Sequence, residues 1–150
     1  MRIAMGSDHA SFELKNFIKE ELGKMGYQVN DLGSDSEKSV DYPDYASKVC
    51  LEVLAKKVDY GILLCGTGLG MSIVANKFKG IRAALCNDLF LADLARRHNN
   101  ANVLVMGGRV LGKSLALEIL KKFMNTGFEG GRHQERLDKV VKIEQEQGIK

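Results

Sequence analysis

The sequence predicts a three-layer α/β/α sandwich: a five-stranded, parallel, Rossmann-like sheet with helices on both faces and an extra C-terminal helix. Two patterns carry that expectation. Five short apolar runs, too short for helices and suited to buried parallel strands, recur along the chain. Between them lie segments with apolar residues at helical spacing, as right-handed crossovers between parallel strands require. No repeat or low-complexity linker interrupts the alternation, and 150 residues fit one domain spanning 1–150.

Taken in order, Arg2 to Met5 reads as the first strand, and Gly6-Ser7-Asp8-His9-Ala10 turns into a helix with Leu14, Phe17, Ile18 and Leu22 on one face. Gly26 ends it. Tyr27 to Leu32 alternates as strand two, and a polar loop runs from Gly33 to Asp41. Pro43 sits in the first turn of the next helix, where its missing N–H costs nothing. That helix is expected to bury Ala46, Val49, Cys50, Val53 and Leu54. Strand three ends at Cys65, and a weakly helical stretch covers Met71 to Lys77. Gly80 to Cys86 is strand four, Asp88 caps a helix through Leu91, Leu94 and Ala95, and Asn102 to Met106 is strand five. A helix from about Gly112 to Met124, a glycine-punctuated loop from Gly127 to Gly131, and a charged helix from about His133 to Gln147 complete the chain.

Composition narrows the functional classes. The chain is 45% hydrophobic and 27% charged, with one proline. A net charge of +3 is too small to argue for nucleic acid or a membrane surface. No apolar run approaches the roughly 18 residues of a membrane span. The first residues read as a strand rather than a signal peptide. Cysteines at 50, 65 and 86 form an odd set without metal-ligand spacing, so the expected compartment is the cytoplasm.

The stretch Gly61 to Ser72 concentrates the chemistry. Cys65 stands where its strand should end, and Gly66, Gly68 and Gly70 follow before a helix. Glycines let a ligand approach the backbone closely, and amides at a helix start favour an anion or a thiolate. The bland alternative is a tight turn beside a small buried thiol. The spacing is not the GxGxxG of dinucleotide sites, and Met71, six residues after Cys65, rules out a Cys-x5-Arg phosphate loop. Ligands of such sheets bind beyond the carboxyl ends of the strands. Ser7, Asp8 and His9, Cys65 to Gly70, and Arg109 all fall there.

Three further groups have two readings each. Asp8 and His9 suit a sugar hydroxyl and a phosphate, or a helix cap with an exposed neighbour. Arg132 and Arg136 share a face at a helix start, where cations oppose the dipole; this suits an anion site, or else a solvated surface. His133 points about 100° away from Arg132 and is expected at the surface. His98 lies near the end of the helix after strand four, which returns to the amino edge of the sheet. It should therefore sit far from Cys65 in the same chain. It is either a C-terminal cap or a contributor to the site of a second subunit.

The chain resembles the ribose-5-phosphate isomerases of the B type, in the family that includes allose- and galactose-6-phosphate isomerases. The likeness rests on Gly6-Ser7-Asp8-His9-Ala10, Asp41-Tyr42-Pro43, Cys65-Gly66-Thr67-Gly68-x-Gly70, Asn76-Lys77-x-x-Gly80-Ile81-Arg82-Ala83, His98-Asn99-Asn100 and Gly130-Gly131-Arg132-His133-x-x-Arg136. Ser11 departs from the glycine of many members, and Cys65 places the chain in the cysteine-containing class.

The resemblance implies a cofactor-free, metal-free aldose–ketose isomerase converting ribose 5-phosphate to ribulose 5-phosphate through a cis-enediolate. It implies that Cys65 moves the proton and that Thr67 helps position the substrate. The amides of Gly66, Thr67, Gly68, Leu69 and Gly70 would hold the enediolate oxygen. It gives ring opening to His98, hydroxyl binding to Asp8 and Asn99, and phosphate binding to His9, Arg109, Arg132 and Arg136. It also implies a homodimer with shared sites, the C-terminal helix contributing, and leaves open whether dimers pair. The rivals are a six-carbon sugar phosphate as substrate and a non-catalytic phosphosugar sensor on the same fold.

Overall fold

The computed structural model describes residues 1–148. Its strands are β1 (Arg2–Ser7), β2 (Gln28–Asp31), β3 (Tyr60–Cys65), β4 (Ala83–Leu85) and β5 (Val103–Gly107). The helices are α1 (Phe12–Lys24), α2 (Tyr42–Leu54), α3 (Leu69–Ala75), α4 (Leu89–Arg97), α5 (Lys113–Met124) and α6 (Arg132–Glu146). A single 3₁₀ turn, His9–Ser11, leads into α1. Every strand pairing is parallel, in the order β2-β1-β3-β5-β4.

Strand side chains alternate between two cores, as a pleated sheet covered on both faces requires. Ile3, Met5, Ile62, Leu64, Leu104 and Met106 pack with Leu14 and Ile18 of α1, Ala92 of α4 and Phe123 of α5. Ala4, Leu63, Cys65, Val103 and Val105 pack with Val49 and Cys50 of α2 and Met71 of α3. The three central strands are thus buried on both sides, which is why they read as unbroken apolar runs rather than alternating ones.

Several boundaries move from the sequence expectation. β4 is three residues long rather than running from Gly80 to Cys86. It is an edge strand, and the residues before it are held by side chains instead: Arg82 N–H donates to Asn102 Oδ1 at 2.8 Å. α3 ends at Ala75, and α6 starts at Arg132 and stops at Glu146, one residue earlier at each end than the pattern suggested. Leu54, expected in the core, is exposed, because the last residue of α2 turns away from the sheet.

The chain leaves β1 towards one edge of the sheet and β3 towards the other. The carboxyl ends of these adjacent strands are therefore the point where the topology switches direction and a crevice opens. Register sets Ser7 beside Leu64 and Cys65 beside Gly107, so the loops after β1, β3 and β5 converge there. α6 lies across the open β4 edge, where Glu144 accepts from Gly80 N–H at 3.3 Å.

Candidate active site

Cys65 ends β3 with 5% of its surface exposed. Its Sγ accepts the Gly68 N–H at 3.2 Å, so one amide of the glycine turn is aimed at the sulfur. At the other two thiols, burial pushes Cys50 and Cys86 up to about 12, with Asp88 adding to the effect at Cys86.

Two glycines are steric necessities here. Gly68 has φ +82°, and a Cβ on it would run into the Leu85 side chain and approach the Met106 carbonyl carbon to 3.2 Å. A Cβ on Gly107 would lie 2.6 Å from the Thr67 carbonyl. The turn is therefore pressed onto the end of β5.

Ser11 staples the neighbouring loops to this turn. Its Oγ donates to the Cys65 carbonyl at 2.8 Å and accepts the Gly108 N–H at 3.2 Å. The Arg109 side chain lies over Gly66, at 3.3 Å from where a Cβ would stand, and the Arg109 backbone N–H donates to the Gly66 carbonyl at 2.9 Å. Asp8 caps the 3₁₀ turn, accepting Ala10 N–H at 3.0 Å, while its own N–H donates to the Leu64 carbonyl. His9 Nδ1 accepts the Val40 N–H at 3.1 Å, so its neutral ring carries the proton on Nε2. Thr67 Oγ1 accepts Leu69 N–H at 3.2 Å. The Tyr42 ring rests against Gly70.

The remaining expected residues gather elsewhere. His98, Asn99, Arg132 and Arg136 surround a cavity of about 420 Å³ together with His133, Leu137 and Val140. Neither arginine is ion-paired with a carboxylate among the described residues, so both charges are free to meet an anion. His98 caps the C-terminus of α4, as the chain path implied. No hydrogen bond or ion pair joins this group to the Cys65 group among the described residues. The expected site is thus split into two halves within one chain.

His133 corrects the sequence reading. It is 7% exposed, and its ring stacks on His98 at 4.0 Å between centroids and 12° between planes. Burial, then repulsion by Arg132 and by His98 whenever that ring is protonated, push its imidazole below the ordinary value. The signal was present: positions 133, 137 and 140 share one helical stripe, and the other two are apolar. Ser11, Tyr42 and Glu129 were missed as contributors, because nothing in their local pattern tells which loops they meet.

Comparison with known proteins gives the family. The family profile described as Ribose/Galactose Isomerase matches residues 3–140. The chain is 49% identical over 144 residues to ribose-5-phosphate isomerase B of Escherichia coli strain K12, covering 96% of this chain and 97% of that one. The Clostridium thermocellum ribose-5-phosphate isomerase B structure superposes with a TM-score of 0.97 at 47% identity, covering 97% of this chain and 99% of that one. A Thermotoga maritima ribose 5-phosphate isomerase structure gives 0.93 at 55% identity, covering 94% and 97%. With the family profile matching nearly the whole chain, and near-complete coverage of relatives at about half identity, the chain belongs to the ribose/galactose isomerase family of sugar-phosphate isomerases.

Proposed function

We propose that the protein interconverts D-ribose 5-phosphate and D-ribulose 5-phosphate, with Cys65 as the group that moves the carbon-bound proton. The observation that carries this reading is the Cys65 sulfur at the end of β3, held by the Gly68 amide of the glycine turn. The Cys65 thiolate takes the proton from C2, and the electron pair moves to the C1–C2 bond as the C1 carbonyl oxygen becomes an enediolate oxygen. The amides of Gly66 to Gly70 stabilise that charge, with Thr67 positioning the substrate. Return of the proton to C1, with transfer of the O2 proton to O1, gives the ketose. His98 opens the furanose ring beforehand.

Asp8 and Asn99 bind sugar hydroxyls, and His9, Arg109, Arg132 and Arg136 bind the phosphate. Because these residues fall into two separate groups in one chain, the reading requires a homodimer in which His98, Asn99, Arg132 and Arg136 complete the partner's Cys65 site. α6 would contribute to the pairing: it presents exposed Val140, Val141 and Ile143 at the open sheet edge, beside an apolar groove of about 520 Å³. No described helix is long and apolar enough to cross a membrane, consistent with work on a free metabolite in the cytoplasm.

Initial rates on ribose 5-phosphate and allose 6-phosphate test the substrate. The five-carbon sugar should have the higher kcat/KM, and a preference for the six-carbon sugar would overturn the assignment. Arg132→Gln and Arg136→Gln test the phosphate site. A charge-assisted hydrogen bond contributes about 1.5–3 kcal/mol, so each change should weaken ribose 5-phosphate binding about ten- to a hundredfold. Calorimetry showing unchanged affinity in both variants would make these arginines solvated surface charges.

A further inference from the structure

Glu129, in the loop before α6, stands between an arginine and two histidines. Its Oε1 accepts from Arg97 Nε at 2.6 Å and lies 2.5 Å from Arg97 Nη2. Its backbone N–H donates to the Arg97 carbonyl at 3.0 Å. Asp93, 3.0 Å from Arg97 Nη1, braces the arginine from behind. The second carboxylate oxygen of Glu129 faces Nε2 of His133 at 3.4 Å and Nε2 of His98 at 3.9 Å. The charged and titratable groups around His98 are therefore Asp93 and Arg97 on α4, Glu129 in the loop, and Arg132, His133 and Arg136 on α6.

Two histidines and a carboxylate with ligand atoms within 4.8 Å of one another also raise the question of a metal ion. Two features argue against one. The rings lie nearly parallel, so their in-plane lone pairs do not converge on a point. Arg97 already occupies the carboxylate, and Arg132 and Arg136 add positive charge beside the cluster.

We propose that Glu129 is the positioning residue of His98: its carboxylate, 3.9 Å from Nε2 and acting there as a charge rather than as a hydrogen-bond acceptor, favours the imidazole proton on Nε2 and leaves Nδ1 to the sugar ring. A carboxylate facing one ring nitrogen favours the proton there and leaves the other as the acceptor. The Arg97 guanidinium keeps Glu129 ionised, holding its carboxyl below the ordinary range. His133, buried and stacked on one face of His98, acts as a neutral wall that restricts ring rotation. A second imidazolium in that stack would repel the first.

This inference rests on the ring-opening reading of His98, and the chemistry of that step supplies a selective test. Opening ribose 5-phosphate moves a proton from O1 to the ring oxygen as the C1–O4 bond breaks. Ribulose 5-phosphate has its carbonyl at C2 and its O5 phosphorylated, so it cannot close a furanose ring and arrives open. A defect in His98 should therefore slow the aldose-to-ketose direction and spare the reverse.

In the dimer, Glu129→Gln should lower kcat on ribose 5-phosphate by about tenfold or more, part of the ~10²–10⁴ that a positioned acid–base group contributes. The rate on ribulose 5-phosphate should stay within about twofold of the parent, and Glu129→Asp should recover part of the loss. Imidazole ¹⁵N spectra should show His98 protonated on Nε2 in the parent and as mixed tautomers in Glu129→Gln. An equal loss in both directions would overturn the proposal in favour of a packing role, and so would a parent ring protonated on Nδ1, with no variant needed. His98→Asn separates the two claims. If it slows both directions equally, the ring-opening reading fails, whereas the tautomer response to Glu129→Gln tests the positioning contact itself.

Discussion

Cys65→Ala should abolish isomerisation while ribose 5-phosphate still binds. The sulfur is held by the Gly68 amide, and on the proposed reading the phosphate is held by other residues, so the change should remove kcat and leave Kd nearly intact. A positioned acid–base group contributes ~10²–10⁴ in rate, and loss of the only base at the carbon should reach at least that range. Cys65 also packs in the core beside Met71 and Val105, so thermal unfolding of the variant must accompany the kinetics. A folded Cys65→Ala protein with substantial turnover would remove the cysteine from the mechanism. Alkylation gives an independent readout. Cys50 and Cys86, pushed up to about 12 by burial, are not thiolates near neutral pH. Modification mapped by mass spectrometry should therefore fall on Cys65, and ribose 5-phosphate should protect it.

Much of this architecture could be read from local pattern. The apolar runs of β1, β3 and β5 announced strands buried on both faces, and the periodicity of α1 and α2 announced their core stripes. The glycine turn after Cys65 was legible because strand, thiol and glycines follow one another directly in the chain. What stayed hidden depends on distant partners. The insertion of β5 between β3 and β4 cannot be seen in any one segment. β4 was overestimated because its apolar residues continue past the point where its single neighbour stops pairing. His133 was placed at the surface because it was compared with Arg132 and not with the Leu137 and Val140 stripe. Ser11, which bridges Cys65 and Gly108 across 54 and 97 residues of sequence, reads in isolation as the start of a helix.

The half-sites give the account its most exposed claim. α4 begins with Asp88, which caps its first turn at 2.7 Å, and ends at His98, whose cavity contains no residue of the Cys65 turn. On the proposed reading, one chain holds the proton carrier and the ring-opening group comes from a second copy. Mixing Cys65→Ala subunits with His98→Asn subunits, each inactive on ribose 5-phosphate alone, measures this directly. In a mixed dimer with shared sites, one site collects both lesions and the other is intact. Activity should reappear and approach about a quarter of the parent level after random exchange of equal amounts, since half the dimers are mixed and each has one good site of two. If each site were built from one chain, every site in the mixture would still carry a lesion. No recovery, with exchange confirmed by mass spectrometry of differently labelled subunits, would contradict the shared site and return His98 to its own chain.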